Sequence, residues 1–494
     1  MTLRVSNTLS GEREPFEPAD PDDVLLYYCG LTVSDTPHLG HARSWVHVDV
    51  MHRWLEYLGY GVRHVENVTD VNEKIVARVG EDDLGRSEPE VARRFIAELF
   101  DSMRALNLKR AEVYPRVTEH IPEIRELIET LLEKGYAYES AGSVYFDVTT
   151  FPEYGKLSNQ DVEELQAQGL DAEREEKRHP ADFALWKADG VAPAAIEEHR
   201  HGDRTYDDPA PSGQTWDAPW GEGRPGWHIE CSAMSMRHLN STIDVHIGGR
   251  DLVFPHHENE IAQSEAATGD RFVRYWLHAD LLEIGEEKMS SSLGNFITVP
   301  EAVDRYGANV LRTFFLSASY NSTQTYSDDA LAEAIERWER LETTYDRAEA
   351  AADSPAAETK VESELPAAAT TARTAFEDAM NDDFNTREAL SAFFDLTVAV
   401  NRHVDGRDRY DYQGLREAIE TFEDLGEGVL GLDFSGDAGG EATLAGELVE
   451  LVLDVRTAER EAGNYDRADA LRDDLEALGV DVQDTDDGPS YRLP

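Results

Sequence analysis

Val24-Leu-Leu-Tyr-Tyr-Cys29, then Pro37-His-Leu-Gly-His41, then the run from Ala42 to Tyr57 and the run Val62 to Val68 form the stretch that decides the fold. The first run is continuously apolar and reads as a buried strand. Ala42 to Tyr57 places apolar residues at helical spacing, and Val62 to Val68 reads as a second strand. Strand, helix and strand in that order make a βαβ unit, whose two strands lie parallel with the helix packed on one face.

Working outward, helical patterns cover 91–106 and 124–133, and Ser143–Val148 is strand-like. The text from Asp161 to Thr215 is polar, with loop composition from Ala188 onward. Sheet pattern returns at Thr242–Ile247, followed by a helix over Pro255–Ala267 and a strand over Tyr275–Ile284. Beyond residue 300 helices dominate, at 309–318, 329–350, 373–403 and 413–424. Ala351–Thr371, rich in Ala, Glu, Ser and Pro, has the composition of a flexible linker. A Gly-rich break covers Gly426–Gly440, and a last unit holds a helix over 464–478 and a strand over Gly479–Gln483. The fold class is therefore α/β: a Rossmann-like parallel sheet (1–118 and 223–285) with an insertion (119–222), a region 286–350, a linker (351–372), a helical bundle (373–430) and a small C-terminal domain (440–494).

A chain of 494 residues exceeds what one core organises. No window is apolar enough to cross a bilayer and no secretory leader opens the chain, so the cytoplasm is the expected location. The net charge is −54. Taken alone this argues against a nucleic-acid partner, since phosphate binding rewards Lys and Arg. The pattern argues otherwise, because only eight of the 46 basic residues are lysines and the acids are spread over nearly every segment. A carboxylate-rich, lysine-poor surface suits concentrated salt, where screening over a few Å removes self-repulsion. The charge then reports a halophilic habitat and not a partner.

Four motifs carry chemistry. Pro37-His-Leu-Gly-His41 opens a helix, where free N–H groups favour phosphate oxygens; His38 and His41 share the first turn, and Gly40 leaves room for an adenine ring. Alone, the pair is a weak signal, since two histidines at a helix start are more often simply solvated. Lys288-Met-Ser-Ser-Ser-Leu-Gly-Asn295 is a small-residue loop in which Lys288 suits transient neutralisation of pyrophosphate, or an ordinary polar turn. Gly248-Gly-Arg-Asp251 ends a strand, with Gly249 permitting close backbone approach and Asp251 able to accept from ribose hydroxyls. Finally, His256 and Glu260 are i and i+4 on a helix, and the only two cysteines, Cys29 and Cys231, can complete a tetrahedral Cys₂-His-Glu zinc set. His257 has Ile261 at the same offset and offers no such pair. A zinc hydrolase built on His256 and His257 would lack His-x-x-x-His spacing and leave the phosphate motifs unexplained.

The order strand, HLGH, helix, GG-x-D turn and KMSSS resembles the class I aminoacyl-tRNA synthetases, whose signatures are written HIGH and KMSKS. Tyr27-Tyr-Cys-Gly-Leu-Thr-Val-Ser-Asp35, Gly226-Trp-His-Ile-Glu-Cys-Ser-Ala-Met234 and Phe254-Pro-His-His-Glu-Asn-Glu-Ile-Ala-Gln263 narrow the resemblance to the cysteinyl-tRNA synthetases, over nearly the whole chain. That resemblance implies a ligase that activates L-cysteine with ATP and transfers it to tRNA(Cys), with no DNA or membrane partner. It implies one Zn²⁺ on Cys29, Cys231, His256 and Glu260, and Mg²⁺ with ATP. It also implies ATP contacts from His38, Gly40, His41, Gly249, Asp251, Lys288 and Ser291, of which His38, His41 and Lys288 are catalytic. The implied cysteine pocket comprises Gly30, Thr69, Trp227 and His246, and Ala379–Arg387 matches a tRNA-recognising helical domain. Ser291 stands where the signature has a second lysine, and the connection Ala188–Thr215 is long, with no assigned role. A relative that uses a small amino-sugar acceptor in place of tRNA lacks the C-terminal region present here.

Overall fold

A computed structural model describes residues 2–81, 84–161, 175–199, 212–285, 287–289 and 296–434, with scattered helical positions between 452 and 475 and the strand segments 481–485 and 488–492. The chain divides into two units, Met1–Leu432 and Asp433–Pro494.

The first unit opens with a hairpin, β1 (Arg4–Asn7) and β2 (Glu12–Pro15), followed by β3 (Val24–Tyr28), α1 (Leu39–Tyr57) and β4 (Val62–Glu66). Helices α2 (Glu73–Ala77), α3 (Glu88–Ala105) and α4 (Ile121–Glu133) come next. The insertion carries β5 (Ala137–Ser140), β6 (Ser143–Phe146), β7 (Phe183–Ala188), α5 (Pro193–Glu198), β8 (Trp216–Ala218) and β9 (Gly221–Pro225). Its strands form an antiparallel sheet in the order β5-β6-β7-β9-β8. Only the β6 region was legible beforehand. β9 reads Gly-Glu-Gly-Arg-Pro, a run without alternation, and its pairing with β7 is a long-range event that local pattern does not announce.

The chain then returns through α6 (Trp227–His238), β10 (Ile243–Gly249), α7 (Glu258–Thr268) and β11 (Val273–Ala279) to complete a parallel sheet in the order β11-β10-β3-β4. Both faces are covered, so β3, β10 and β11 are almost wholly buried; β3 is accordingly a continuous apolar run, while β10 and β11 bury polar residues such as Asp244, His246 and His278 among their apolar ones. The order reverses at β3, which has β4 on one side and β10 on the other. The crevice beyond their carboxyl ends, at Cys29 and Gly248–Gly249, is where ligands bind in open α/β sheets.

The single strand read over Tyr275–Ile284 is two. It breaks at Asp280, whose N–H donates to Tyr320 O at 2.8 Å, and β12 (Leu282–Ile284) leaves for a second sheet with β13 (Glu287–Lys288) and β14 (Gln324–Tyr326). Helices α8 (Val299–Tyr306), α9 (Ala308–Leu316) and α10 (Asp328–Ala352) surround it. In α10, Leu331, Ala334, Trp338, Leu341, Tyr345 and Ala348 form one buried stripe. The stretch read as a linker is partly ordered: β15 (Ala357–Glu358) pairs with β16 (Tyr410–Asp411), and α11 (Leu365–Asn381) starts within it. α12 (Thr386–Asp405) and α13 (Tyr412–Thr421) pack against α10, and α11 packs on those two, which makes a helical bundle. The second unit contains the antiparallel pair β17 (Asp481–Thr485) and β18 (Gly488–Arg492).

Surface ion pairs among the described residues are mostly made by arginine, such as Arg63–Asp23 at 2.6 Å and Arg373–Asp424 at 2.8 Å. Exposed pairs of this kind contribute about 1 kcal/mol or less each, far too little to offset the repulsion of −54 charges in dilute buffer. The Debye length grows from about 3 Å at molar salt to about 30 Å at 0.01 M. The protein is therefore expected to unfold or lose activity on dialysis from molar to tens-of-millimolar salt. A thermal melt that does not move between those conditions would sink this expectation.

Candidate metal and nucleotide site

Cys29 follows β3, and its N–H is held by Ile247 O at 2.9 Å, so the sulfur stands at the sheet's switch point. Cys231 comes from α6, whose first turn can approach only because Gly226 has no side chain; a Cβ there would lie 1.9 Å from Ala184 O. His256 precedes α7, at the end of a tight turn over Val253–His257, and Glu260 lies on the helix itself. The helix thus begins later than the sequence pattern suggests, but the i to i+4 relation survives, with His256 Nε2 2.8 Å from Glu260 Oε1. The sulfurs are 3.7 Å apart and Cys29 Sγ is 3.4 Å from His256 Nε2. All four donor atoms are buried and lie within 4.8 Å of one another.

The donor set fits a soft dication. At 3.7 Å the sulfurs are too far apart for a disulfide, and both cysteines are free. The Cys231 thiol is pushed well above its ordinary value by its hydrogen bond with Cys29 and by burial. Cys29 is also raised, its bond with Cys231 pulling down and burial pushing up. Burial would lower the His256 imidazole, yet Glu260 and Cys231 lift it to about 10. Thiolate, imidazole and carboxylate donors bind a metal in their deprotonated forms, so a zinc ion here would displace protons from the cysteines and from His256. Glu260 Oε1 faces the cluster, 2.8 Å from His256 Nε2, while Oε2 is turned to His246, so one carboxylate oxygen is on the side where a metal would sit.

The surroundings orient the set. His228 Nδ1 lies 2.9 Å from His256 Nδ1, and the Trp227 ring covers His256 at a centroid distance of 4.3 Å while remaining 39% exposed. His246 is fully buried on the other side of Glu260, its Nε2 2.7 Å from Oε2 and its ring stacked on Trp276. It is placed to orient the carboxylate. His257, whose i+4 neighbour is Ile261, forms a second close triplet with His246 and its i+3 neighbour Glu260, and its Nδ1 is 2.8 Å from His278 Nε2. Reading only the i+4 offset missed Glu260, and the other partners, His246 and His278, come from β10 and β11.

Asn67, also missed, organises the pocket floor. Its Oδ1 accepts from Tyr27 Oη and Gly30 N, both at 2.9 Å, and its Nδ2 donates to Thr69 Oγ1 at 3.2 Å. The only forewarning was its place at the carboxyl end of a strand. Gly30 is pressed against the same residue, since a Cβ there would lie 1.8 Å from Asn67 O. Gly30→Ala is expected to cost about 1–3 kcal/mol of stability by overpacking and to lower bound zinc, read from a melt and from metal content. Wild-type values for both would show that the loop has slack.

At the other end of the crevice, His38 caps α1, its Nδ1 accepting from Gly40 N at 3.1 Å, while His41 Nδ1 accepts from His38 N at 3.3 Å. The two rings stack at 3.7 Å. A Cβ on Gly40 would come within 2.8 Å of His38 Cε1, so the glycine preserves the stack as well as leaving space nearby. Gly249 precedes the turn carrying the exposed Asp251, whose Oδ1 would be 2.5 Å from a Cβ at Gly249. Pro37–Leu39 meets the chain beyond the second motif: Leu39 N donates to Ile297 O at 3.0 Å and Val299 N to Pro37 O at 2.8 Å. The backbone of Lys288 lies in β13, paired with Glu283, while Ser291 lies outside the described residues.

Comparison with known proteins agrees in extent and kind. The family model described as tRNA synthetases class I (C) catalytic domain matches residues 15–336, a DALR domain model matches 375–435, and the cysteinyl-tRNA ligase anticodon binding domain model matches 446–492. The cysteine–tRNA ligase of Haloarcula marismortui is 67% identical, that of Halobacterium salinarum 62% and that of Geobacter sulfurreducens 44%, each with all of both chains covered. Among solved structures, methionyl-tRNA synthetase of Mycobacterium tuberculosis in complex with methionyl-adenylate superposes with a TM-score of 0.60 at 15% identity, over 83% of this chain and 92% of that one. At that identity the likeness is one of fold.

Proposed function

The chain belongs to the cysteine–tRNA ligases, class I tRNA synthetases, and on that premise we propose the residue roles by which it activates cysteine with ATP and charges tRNA. The observation that carries the reading is the convergence of Cys29, Cys231, His256 and Glu260 beneath Trp227 at the sheet's switch point. These four residues would hold Zn²⁺, which supplies a soft electrophilic centre for the thiol of cysteine. Gly30 and Thr69, set by Asn67, and the half-exposed Trp227 would bound the rest of the amino acid, with His246 orienting Glu260 from behind.

His38, Gly40 and His41 would bind the ATP phosphates at the N-terminus of α1, where the helix presents its free N–H groups. Gly249 would admit the nucleotide to the backbone, and Asp251 would accept from the ribose hydroxyls. Lys288, with Ser291 and Mg²⁺, would balance the charge on pyrophosphate as the carboxylate of cysteine attacks the α-phosphorus and pyrophosphate leaves. The terminal ribose hydroxyl of tRNA then attacks the carbonyl carbon of the adenylate and AMP departs. Neither step needs a dedicated protein base; positioning and electrostatics supply the acceleration. The testing experiment is cysteine-dependent ATP–pyrophosphate exchange followed by charging of tRNA(Cys). Exchange without charging would leave the acceptor unassigned, and absence of both would overturn the reading.

No helix among the described residues is long and apolar enough to cross a membrane. We place the enzyme in the cytoplasm, with its substrates. The second unit, which contains the anticodon-domain match, would engage tRNA. A cut at Ala351 would remove partners of the catalytic part, since Leu430 O accepts from Arg312 Nε at 2.9 Å and Gly431 O from Asn107 Nδ2 at 2.9 Å. A chain ending at Leu432 keeps both. It is expected to retain pyrophosphate exchange and to lose about ten-fold or more in tRNA charging, through loss of one of two linked contact regions. Undiminished charging would assign the second unit elsewhere.

A further inference from the structure

Arg43 stands two residues after His41 on α1 and is 1% exposed, and among the described residues its guanidinium hydrogen-bonds to carbonyl oxygens and makes no carboxylate ion pair. Nε donates to Gln324 Oε1 at 3.1 Å, Nη1 donates to Asp280 O, and Nη2 donates to Ser319 O at 2.9 Å and Ser322 O at 2.6 Å. Burial draws the group down to about 10, with Asp280 opposing, so it stays charged at neutral pH. A buried charge whose hydrogen bonds all go to carbonyl oxygens is costly even with Asp280 nearby, and an apolar side chain would serve the core at less cost. What the guanidinium adds is geometry: a rigid fork joining one helix to three separate points.

Those points bear on one element. Asp280 is the residue at which the chain leaves the main sheet for β12. Ser319 and Ser322 belong to the turn beneath it, and Gln324 opens β14, where it pairs with Leu282. Gln324 is itself fixed, its Nε2 donating to Phe314 O at 2.7 Å. β12 in turn carries β13, with Glu283 opposite Lys288 and Met289 N donating to Leu282 O at 3.0 Å. The hairpin passes close to the first motif, for a Cβ on Gly40 would lie 3.8 Å from Met289 O. Arg43 therefore ties the helix of His38 and His41 to the base of the hairpin that carries Lys288.

We propose that Arg43 is a positioning residue for amino-acid activation, holding the Lys288 hairpin at a set distance from His38 and His41 so that the two motifs engage the ATP phosphates together. This rests on the roles assigned to those three residues above. A misplacement near 1 Å of a positioned group costs on the order of 10²-fold in rate, so the fork's loss falls on kcat for activation and not on cysteine binding.

The test is a double-mutant cycle in the full-length, zinc-loaded protein at molar salt, read by kcat and KM of cysteine-dependent pyrophosphate exchange, zinc content and thermal melting. Arg43→Met is expected to lower kcat about 100-fold while cysteine KM stays within about two-fold and zinc content is unchanged. Placed in Lys288→Ala, the same substitution should cost less than about three-fold, because Arg43 acts through Lys288. Arg43→Lys keeps the charge but not the fork and should recover about ten-fold. If Arg43→Met does not fold, Gln324→Leu, which removes one of the four bonds, decides the matter: a kcat loss of about five-fold, absent in Lys288→Ala, is expected. Multiplicative losses in the cycle, an unchanged kcat, or a parallel fall in zinc and cysteine affinity would each overturn the proposal. Full activity in Lys288→Ala alone would overturn the assigned role of Lys288, and the inference with it.

Discussion

Cys231→Ala and Glu260→Ala are expected to lose bound zinc and, with it, the ability to tell cysteine from serine, whereas the unaltered enzyme should reject serine by about 10⁴-fold or more. Shape cannot supply such a factor: sulfur and oxygen differ by less than a methylene, and a methylene-sized difference yields only about 1–3 kcal/mol. A metal changes the comparison, because a thiol of pKa about 8.5 ionises readily on zinc while an alcohol does not, and thiolate is the softer ligand. Cys29, Cys231, His256 and Glu260 bring two sulfurs, a nitrogen and a carboxylate oxygen within 4.8 Å, and His246 holds the second oxygen of that carboxylate at 2.7 Å. Removing either Cys231 or Glu260 breaks the set. The test measures metal content and pyrophosphate exchange with each amino acid for all three proteins. Serine activated nearly as well as cysteine by the unaltered enzyme, or full activity in a metal-free variant, would end the zinc-recognition reading.

Lys288→Ala should raise the activation barrier by about 2–4 kcal/mol, the loss of one donor to charge that develops in the transition state, which corresponds to about 10²–10³-fold in kcat for exchange. Zinc content should not change, since none of the four donors lies on the β12–β13 hairpin. The effect is expected to be large because Lys288 is the only lysine between Lys187 and Lys360, and Ser291 cannot carry charge in its place. Unchanged exchange would refute the assignment. A loss of zinc along with activity would point instead to a disturbed fold.

The agreement between sequence reading and fold is uneven for physical reasons. β3, α1, β4, β10 and α7 were legible because short runs rich in Val, Ile, Leu and Tyr alternate with helix-length segments that carry apolar residues at helical spacing, a local mark that survives the polar residues within β4 and β10. β7 and β9 were not legible, since their pairing is between residues far apart in sequence. The break at Asp280 escaped notice because β11 and β12 are both apolar and only their partners differ. α11 begins in a stretch whose Ala, Glu and Pro composition suits a linker as well as a helix start with Pro366 in the first turn.

By itself the sequence determined the parallel-sheet class and singled out Cys29, Cys231, His256 and Glu260, which the fold brings within 4.8 Å of one another as a set that could hold a metal, because each reading depends on residue type at short spacing or on the scarcity of cysteine. Tertiary structure alone decided that His246 backs Glu260, that His257 joins His246 and His278, that Asn67 bonds to both Gly30 and Thr69, and that Arg43 of α1 bonds to Asp280, Ser319, Ser322 and Gln324. Each of these contacts joins residues whose neighbourhood is set by strand order and crossover. A hydrogen bond of about 3 Å between distant segments leaves no periodic trace in either one.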